Sequence, residues 1–401
     1  MRRLLIPLLT AAVLTAACGG GAAERAVTAA DSSSSTTTPA TSSTTTAAPS
    51  SSAPPVSSTA ATTSTTTTMT TTTTTTAPPA LAPAPAHPIG EGLVVAVALD
   101  GSAVLAQRED PAYDQPGCEG FPEPIVERLP VDGSAPAPAI VDVDPSFVNG
   151  TFVRTGTGRA AIVSGCEGYT TAVHLLDEEP DGRLHLLETY SGPIGDPPAD
   201  LAAGVDLLDE AHLVASVERW TGTTTEAALV AVDLGDASSV DLVPGLVGSG
   251  RVTVVADGLV AFQNGKTVSV VDPASGDIVA TWEAPNFAAP HGGDVFAFYA
   301  AVLEVGRLDR APETRPVEVP LFANEYISEA AWSPNGRVLA LVVTDDAADR
   351  VLVGAPGQGW TQVADGGIFA RLAFAGDSSL LAFSDLSGSS FYGRVLVSEL
   401  G

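Results

Sequence analysis

Residues 331–341 read AWSPNGRVLAL, which places an aromatic residue, a tight turn and a hydrophobic strand in immediate succession. The same order returns in weaker form 42 residues later, where residues 373–383 read AFAGDSSLLAF. Strands of similar character begin near Leu93 and recur at intervals of 36 to 68 residues as far as Leu380. A period near 42 to 48 residues with about four strands per unit has the size of one propeller blade. Because each such unit buries its faces only against its neighbours, the units must close into a ring.

Short apolar runs separated by turn dipeptides continue throughout residues 89–401, which form one compositional unit. Asn-Gly and Asp-Gly suit tight hairpins because both central residues adopt positive φ. These dipeptides occur at 100–101, 149–150, 181–182, 257–258, 264–265, 335–336 and 365–366. The sequence therefore predicts an all-β fold, a β-propeller of seven blades over residues 89–401, with six blades as the alternative. The last unit lacks an outer strand, which an N-terminal strand around Leu93 to Leu105 would complete.

Two segments resemble blades of known propellers. Residues 332–340 (WSPNGRVLA) resemble the aromatic-Ser-Pro-Asp-Gly repeat of TolB-type and other WD-repeat-like propellers. Residues 272–282 (DPASGDIVATW) resemble the hairpin of YVTN-type and quinoprotein-type blades. The resemblance covers about two blades and implies the propeller fold. It does not transfer a function, because such rings include binding modules as well as enzymes.

The first residues have the composition of an export signal. Arg2 and Arg3 precede an apolar run over 4–13, which is too short to cross a bilayer as a mature helix. The small residues that follow lead to Cys18, and the stretch LTAAC resembles a bacterial lipobox, in which the Cys thiol is acylated. Thr15 departs from that pattern, which most often has Leu there. We therefore expect a lipoprotein signal peptide over residues 1–17 and a lipid anchor at Cys18; an ordinary cleaved signal and a soluble secreted protein are the alternative.

Residues 18–88 consist almost entirely of Ser, Thr, Ala, Pro and Gly, and residues 70–76 are all Thr. A segment with so few large apolar side chains cannot offset the entropy of ordering, so the composition predicts a disordered linker. Ser/Thr-rich chains with Pro are also typical of O-glycosylated stalks. The expected location is the extracytoplasmic side of the cell membrane, with the propeller held at a distance by this linker.

The chain has three cysteines, so Cys118 and Cys166 remain as a pair if Cys18 carries lipid. An oxidising compartment permits a disulfide between them. Both occur in a Gly-Cys-Glu-Gly-aromatic sequence, at 117–121 and 165–169, which suits neighbouring loops of a repeat protein. The alternative is a thiol nucleophile or metal ligand, although no further residues with metal-ligand spacing accompany them.

Acidic residues dominate the folded part. Of 47 acidic and 18 basic residues, only two acidic and three basic ones precede residue 89, so the remainder has a net charge of −30. Such a surface repels phosphate backbones and anionic lipids, which argues against a nucleic-acid partner and leaves the lipid anchor as the only membrane contact. An acidic surface also keeps an exported domain soluble and attracts cations or basic proteins.

Candidate chemical sites are few. His174 and His185 would lie opposite each other if a hairpin turn were centred near Glu179-Pro180, close enough to share a metal; two strand histidines without a role are the alternative. Acidic groups occur around Asp142, Glu178 and Asp345, but none has the register of a calcium loop, and solvated turns explain them better. No nucleophile elbow, phosphate loop or dinucleotide fingerprint is present. The sequence therefore assigns no catalytic residue, no metal site and no cofactor. Four tryptophans (220, 282, 332 and 360) suit packing between blades or a binding face.

These features favour an envelope-anchored, non-catalytic binding or scaffolding lipoprotein whose ring presents loops to an envelope protein or an extracellular ligand. The alternative is an extracytoplasmic propeller enzyme, a hydrolase or lyase acting on wall or extracellular glycans. Convergent carboxylates and an Arg in the central channel would favour the enzyme, whereas an apolar or sealed channel would weaken it. Sensing of a small ligand or cation at the acidic surface is a third hypothesis.

Overall fold

The computed structural model describes residues 81–109, 124–154, 158–166, 169–191, 204–220, 223–345, 347–388 and 392–401. The strands of the first half are β1 (His87–Val97), β2 (Ala103–Glu109), β3 (Pro124–Pro130), β4 (Ala137–Pro138), β5 (Thr151–Arg154), β6 (Arg159–Cys166), β7 (Tyr169–Glu178), β8 (Leu184–Ser191), β9 (Val205–Leu207), β10 (His212–Trp220), β11 (Thr225–Asp233) and β12 (Ser239–Leu246).

The strands of the second half are β13 (Val252–Val254), β14 (Val260–Asn264), β15 (Thr267–Val271), β16 (Ile278–Glu283), β17 (Phe287–Ala288), β18 (Val295–Tyr299), β19 (Leu303–Arg307), β20 (Thr314–Val317), β21 (Tyr326–Trp332), β22 (Leu339–Thr344), β23 (Asp349–Ala355), β24 (Gly359–Gly367), β25 (Phe369–Phe374), β26 (Leu380–Asp385) and β27 (Gly393–Glu399). Short 3-10 helices span Pro145–Phe147, Ala256–Gly258 and Leu308–Arg310. The prediction of an all-β fold is confirmed for the described residues.

Consecutive strands pair antiparallel, and in the described residues they form five four-stranded sheets and one seven-stranded sheet. The four-stranded sheets are β5–β8, β9–β12, β13–β16, β17–β20 and β21–β24. The seven-stranded sheet has the order β25-β26-β27-β1-β2-β3-β4. The architecture is an all-β propeller. The expected count of seven blades, or six, differs from what is seen, because only five separate four-stranded blades are present in the described residues and the other strands share one sheet.

The strand β1 joins both halves of the seven-stranded sheet. Its first part, residues 87–92, pairs with β27, whereas its second part, from Leu93 onward, pairs with β2. The expected N-terminal strand therefore completes the last unit, but it does so with residues 87–92 rather than 93–105. Gly92, at the junction, has φ of +143°, and a Cβ there would lie 2.9 Å from the Cβ of Ala106. Only glycine fits this point of strand exchange.

Apolar and aromatic side chains fill the space between neighbouring sheets. Trp282 on β16 packs against Phe296 and Phe298 on β18 of the next sheet, with ring centroids 5.0 and 5.2 Å away. Trp332 on β21 is buried with residues of β18 and β19 in the same manner. The prediction that tryptophans pack between blades is confirmed for these two. The side chain of Trp220 lies outside the described residues.

Most of the turn dipeptides connect strands as predicted. Asn264-Gly265 forms the link between β14 and β15, with Gly265 at φ of +60°. Asn335-Gly336 stands between β21 and β22, with Gly336 at +64°. The exception is Asp365-Gly366, which lies within β24 near its end rather than in a hairpin. A Gly with positive φ is tolerated there because β24 is the outermost strand of its sheet.

Candidate functional site in the central channel

A cavity of about 460 Å³ lies where the sheets converge. Its wall includes residues from the strand at the inner edge of every four-stranded sheet, and from both β1 and β25 of the seven-stranded sheet. The contributing strands are β1, β5, β9, β13, β17, β21 and β25. A cavity surrounded by the first strands of successive sheets is the central channel of a propeller. Its size is that of a small-molecule site.

Three charged residues occupy equivalent positions in the channel wall. Arg251, Glu329 and Arg371 each line the cavity. Each stands three residues before the last residue of its inner strand. Val254 and Trp332 pair with the first residue of the next strand, whereas Phe374 pairs with Leu381, the second residue of β26, because β25 carries a bulge. Glu329 and Arg371 are also 42 residues apart, which is the spacing of the sequence repeat.

Arg371 sits on a β-bulge. The register of β25 against β26 shifts between Ala370 and Ala373, and Arg371 adopts φ of +63°. The carboxylate of Glu329 on the preceding sheet accepts hydrogen bonds from the amides of Arg371 and Leu372, at 2.9 and 2.8 Å. Bulges change the direction of a side chain and leave backbone groups without ladder partners. Glu329 therefore accepts the hydrogen bonds of the two amides in the bulge, and the bulge places Arg371 at the cavity.

Asp206 and His291 form a second polar group in the channel. Asp206 is buried, and its carboxylate accepts hydrogen bonds from the amides of Leu207 and Val254, at 2.8 and 2.7 Å. Nδ1 of His291 lies 3.0 Å from the same carboxylate. Burial opposes protonation of His291, but the hydrogen bond and the charge of Asp206 outweigh it and raise the pKa of His291 above 6.5. When His291 is protonated, it forms an ion pair with Asp206 in the channel wall.

Arg251 is anchored to the neighbouring sheet by one nitrogen. Its Nη1 donates to the carbonyl oxygen of Phe287 at 3.0 Å. Tyr299 is close to Arg251, and its pKa is raised overall. Burial is the main cause, the charge of Glu329 acts in the same direction, and the charge of Arg251 opposes both. A hydrogen bond from Arg251 also lowers the pKa of Tyr299, so the guanidinium has a second partner there, although its side chain is exposed at the cavity surface.

Arg154 is the third arginine of the wall, and it is bound to the protein. Its Nη1 donates to the carbonyl of Val97 at 2.8 Å, and its Nη2 lies 3.2 Å from Oε1 of Glu178. Burial raises the pKa of Glu178 and lowers that of Arg154, although each charge favours the other. Desolvation thus exceeds the mutual attraction in this pair, as is common for buried ion pairs. Arg154 serves mainly to join β5 to β1.

The two channel carboxylates act as acceptors between sheets. Asp206 on β9 binds an amide of β13, and Glu329 on β21 binds two amides of β25. Each oxygen therefore already accepts a hydrogen bond from the backbone. A glycosidase needs one carboxyl group free to donate a proton and another free to act on the sugar or on water. The geometry assigns these carboxylates to holding neighbouring inner strands together.

The predicted pairing of His174 with His185 is wrong. The turn between β7 and β8 lies at 179–183, so His185 pairs with Asp177 and His174 pairs with Thr189. His174 is buried, and burial lowers its pKa; its Nδ1 is 3.0 Å from Oγ1 of Thr189. Nε2 of His185 instead lies 2.9 Å from Glu179. Across the residues that the structure describes, no group of three or more His, Cys, Asp or Glu side chains could hold a metal ion.

Asp144, Asp181 and Asp345 lie in turns, as expected, whereas Glu178 and Asp349 are buried: Glu178 pairs with Arg154, and Asp349 accepts a hydrogen bond from the amide of Phe369. Asp144 accepts hydrogen bonds from the amide and hydroxyl of Ser146, and Asp345 accepts them from the amides of Ala347 and Ala348. Asp181 pairs with Arg183. Cys18 and Cys118 lie outside the described residues, as does the side chain of Cys166. The lipid anchor and the disulfide therefore stay predictions.

Sequence reasoning did not identify the charged residues of the channel wall. A signal was present in the repeat, because Glu329 and Arg371 each stand three residues before its aromatic residue, Trp332 or Phe374. Charged side chains at an inward position of an otherwise apolar strand indicate a polar channel. The bulge that places Arg371 at the cavity has no comparable sequence signal.

One protein family matches part of the chain. Residues 306–388 match the model of the lipoprotein LpqB beta-propeller domain. This segment, from the end of β19 to just beyond β26, contains both copies of the sequence repeat. The match supports the propeller fold and links it with a lipoprotein domain.

A solved structure described as the Dos1 propeller is similar to this chain, at 11% identity, with 80% of this chain and 95% of that chain covered and a TM-score of 0.47. A comparison with curated proteins gives no match. Among the residues that the structure describes, no helix is long and apolar enough to span a membrane.

Proposed function

We propose that the chain is an exported, non-catalytic binding protein whose propeller presents one face to an envelope protein. The observation that carries the proposal is a concentration of exposed apolar side chains on that face. Because neighbouring strands alternate in direction, the connection entering each sheet lies at the same edge as the turn between its second and third strands. We call this edge of the propeller the entry face.

The entry face exposes large apolar residues from three successive connections. Val302 lies between β18 and β19, Phe322 lies between β20 and β21, and Ile368 lies between β24 and β25. These side chains are 63%, 73% and 55% exposed. Tyr326, the first residue of β21, is exposed beside them, and the amide of Ile327 donates to the carbonyl of Ala300 at 2.7 Å. Exposed apolar groups collected from adjoining loops are typical of protein interaction surfaces.

The charges around this surface define the chemistry of the partner. Arg350 stacks on Phe322, with its guanidinium carbon 4.8 Å from the ring centroid, but it is paired with Glu325. The hydrogen bond from Arg350 lowers the pKa of Glu325, so this pair is neutral overall. Glu318 lies on the same connection as Phe322, and Asp345 lies on the turn between β22 and β23 at the same face, where Arg350 partly offsets its negative charge. A complementary partner surface is apolar at its centre and basic at its rim.

The remaining features support an envelope location. The apolar run at the N-terminus and Cys18 favour export and lipid attachment. Residues 18–88 would form a linker that holds the propeller at a distance from the membrane. The partial match to a lipoprotein propeller domain agrees with that assignment. The channel supplies less support for a glycan hydrolase, because its carboxylates bind backbone amides of neighbouring strands.

We also propose that the ring has seven blades, two of which share β1. Residues 87–92 would then be the outer strand of the last blade, and residues 93–97 the inner strand of the first. The pairing of β1 with both β27 and β2 supports this division, as do the seven strands around the channel.

The interaction is tested by cross-linking intact cells that express the full chain or its variants. A double variant, Phe322→Ser with Ile368→Ser, removes apolar area from the entry face. The matched control is Val240→Ser with Val279→Ser, which removes similarly exposed residues from the outermost strands β12 and β16. We expect a near-stoichiometric protein partner with the wild type and the control, reduced at least about tenfold in the entry-face variant. Equal capture by both variants, or no partner with the wild type, would refute the proposal.

The anchor is tested separately with Cys18→Ala in the same cells. We expect the wild type in the membrane fraction and the variant released from it, since a single lipidated residue is the proposed attachment. Membrane retention of the variant would exclude Cys18 as the anchor while leaving the entry-face comparison unaffected.

A further inference from the structure

The channel wall is richer in cations than the rest of the propeller. Beyond residue 88 the chain has 45 acidic and 15 basic residues, so acidic side chains outnumber basic ones threefold. The cavity wall reverses that ratio, with three arginines against two carboxylates, and His291 in addition. Cations are thus enriched in the wall of the central channel, within a domain whose net charge repels anions.

Two of the arginines retain donors. Among the described residues, the guanidinium of Arg371 has neither a hydrogen-bond partner nor an ion pair, although it lines the cavity. Arg251 donates to the carbonyl of Phe287 through Nη1 and also to Tyr299, and these two contacts do not use all the N–H donors of its guanidinium. The carboxylate between them in the ring, Glu329, is occupied by two backbone amides. A guanidinium presents a planar fork of donors that matches the oxygens of carboxylates and phosphates.

The backbone of Arg371 shows that its position is specifically built. A non-glycine residue at φ of +63° is strained, and strain of this kind persists only where the surroundings hold it. Here the surroundings are the two hydrogen bonds that the amides of Arg371 and Leu372 donate to Glu329 on the neighbouring sheet. Glu329 therefore serves as a positioning residue for Arg371.

The rest of the wall is apolar. Val94, Phe152, Val252, Ala330 and Phe374 line the same cavity. A small site with an apolar wall and a few convergent donors suits a ligand that has one charged end and an apolar body.

We propose that the central channel binds a small amphipathic organic anion, whose carboxylate or phosphate group lies between Arg251 and Arg371. The cavity volume of about 460 Å³ admits a molecule of that kind. This site is separate from the entry-face contacts, because none of Val302, Phe322 or Ile368 lines it.

The test uses calorimetry on the full chain with phenyl phosphate, benzoate, inorganic phosphate and phenol. The two anions with a ring should bind, and the one preferred identifies the charged group. Inorganic phosphate should bind more weakly because it lacks apolar contact, and phenol because it lacks charge. Raising the salt concentration should weaken binding of both ring-bearing anions.

Arginine variants locate the site. Arg371→Gln and Arg251→Gln should each weaken binding of the preferred anion by about tenfold or more, since a hydrogen bond to a charged group is lost. Arg371→Lys retains the charge and should recover part of the affinity. Arg310→Gln, an exposed arginine outside the cavity, is the control and should change the affinity by less than about twofold. Thermal unfolding of each variant checks that it is folded.

Two results would overturn the proposal. One is an unchanged affinity in both Arg251→Gln and Arg371→Gln. The other is the absence of binding by phenyl phosphate and benzoate at concentrations up to about 10 mM. Neither result bears on the entry face, where the partner is a protein.

Discussion

In each four-stranded sheet the outermost strand comes directly after the third strand in the sequence and pairs with it. In the seven-stranded sheet, by contrast, β27 pairs with residues 87–92, which come from the other end of the domain. Between the four-stranded sheets the backbone ladder is interrupted. Within the seven-stranded sheet the ladder continues through β1. The two arrangements differ in how the chain crosses from one unit to the next.

Both arrangements nevertheless use the same contact at the crossing. Ser216 on β10 accepts a hydrogen bond from the amide of Gly250, next to the inner strand of the following sheet, at 3.1 Å. Ser384 on β26 accepts one from the amide of Val94 on β1 at 2.8 Å. Both serines are completely buried. The boundary inside the seven-stranded sheet is thus chemically equivalent to a boundary between separate sheets, which teaches that strand connectivity and blade boundaries are independent features.

The largest expected effect comes from deleting residues 87–92 in the full chain. This deletion removes the ladder between β1 and β27 and exposes the edge of β27. We expect the free energy of unfolding to fall by more than about 4 kcal/mol, because several backbone hydrogen bonds and the apolar contacts beneath them are lost together. Urea unfolding followed by circular dichroism measures it. The control deletes residues 71–76 of the linker; if both deletions have equally small effects, β1 does not close the ring.

Glu329→Ala should have the next largest effect. It leaves the amides of Arg371 and Leu372 without their acceptor, at an expected cost of about 2 to 3 kcal/mol in the free energy of unfolding. Glu283→Ala, an exposed glutamate on β16, is the control and should lie within about 0.5 kcal/mol of the wild type. A loss no larger than that of the control would show that the bulge does not depend on Glu329.

The paired variants Ser216→Ala and Ser384→Ala compare the two kinds of boundary directly. Each should lower the free energy of unfolding by about 1 to 2 kcal/mol, since each removes the acceptor of one amide, that of Val94 being buried and that of Gly250 partly buried. Equal losses in urea unfolding would support two blades within the seven-stranded sheet. A loss for Ser384→Ala that is much smaller than for Ser216→Ala would indicate that β1 makes this boundary redundant.

The smallest expected effect is the pH dependence of His291→Gln. The pKa of His291 is raised in the folded state, so the protonated form contributes stability that is fully present below its unfolded value of about 6.5. That contribution is lost as pH rises through the higher folded value. The stability difference between wild type and variant should therefore be larger at pH 5 than at pH 8.5, by less than about 1 kcal/mol because the imidazole is partly exposed. In an Asp206→Asn background only burial acts on the pKa of His291, so the stability difference should no longer be larger at pH 5 than at pH 8.5.

The repeat predicted the fold because its periodicity reflects local physics. An aromatic residue, a positive-φ turn and an apolar strand determine one hairpin, as at Asn335-Gly336. The assignment of residues 87–92 to the last unit was only partly predictable: the missing outer strand was evident, but the residues that supply it were misplaced, because His87 and Pro88 read as the end of a linker. The pairing of His174 with His185 failed because the turn between their strands is longer than two residues, and a shift of register changes every opposed pair.

The channel was less predictable than the fold. Its charged residues come from β9, β13, β21 and β25, and single residues on separate short strands leave no local pattern. Their roles depend on contacts across sheets, such as the one between Glu329 and the amide of Arg371. Such contacts are set by how the ring closes rather than by any one segment.

The contact between Ser384 and Val94 spans 290 residues of sequence. During synthesis, at about 5 to 20 residues per second, the strand that must receive β27 therefore waits for roughly 15 to 60 s after it has been made. Over that interval β1 has one edge without its final partner. A nascent chain of this protein thus has to be protected from pairing with other strands until the last β-hairpin has emerged, and shortened chains that lack this hairpin should be recognised by quality-control proteases as incomplete.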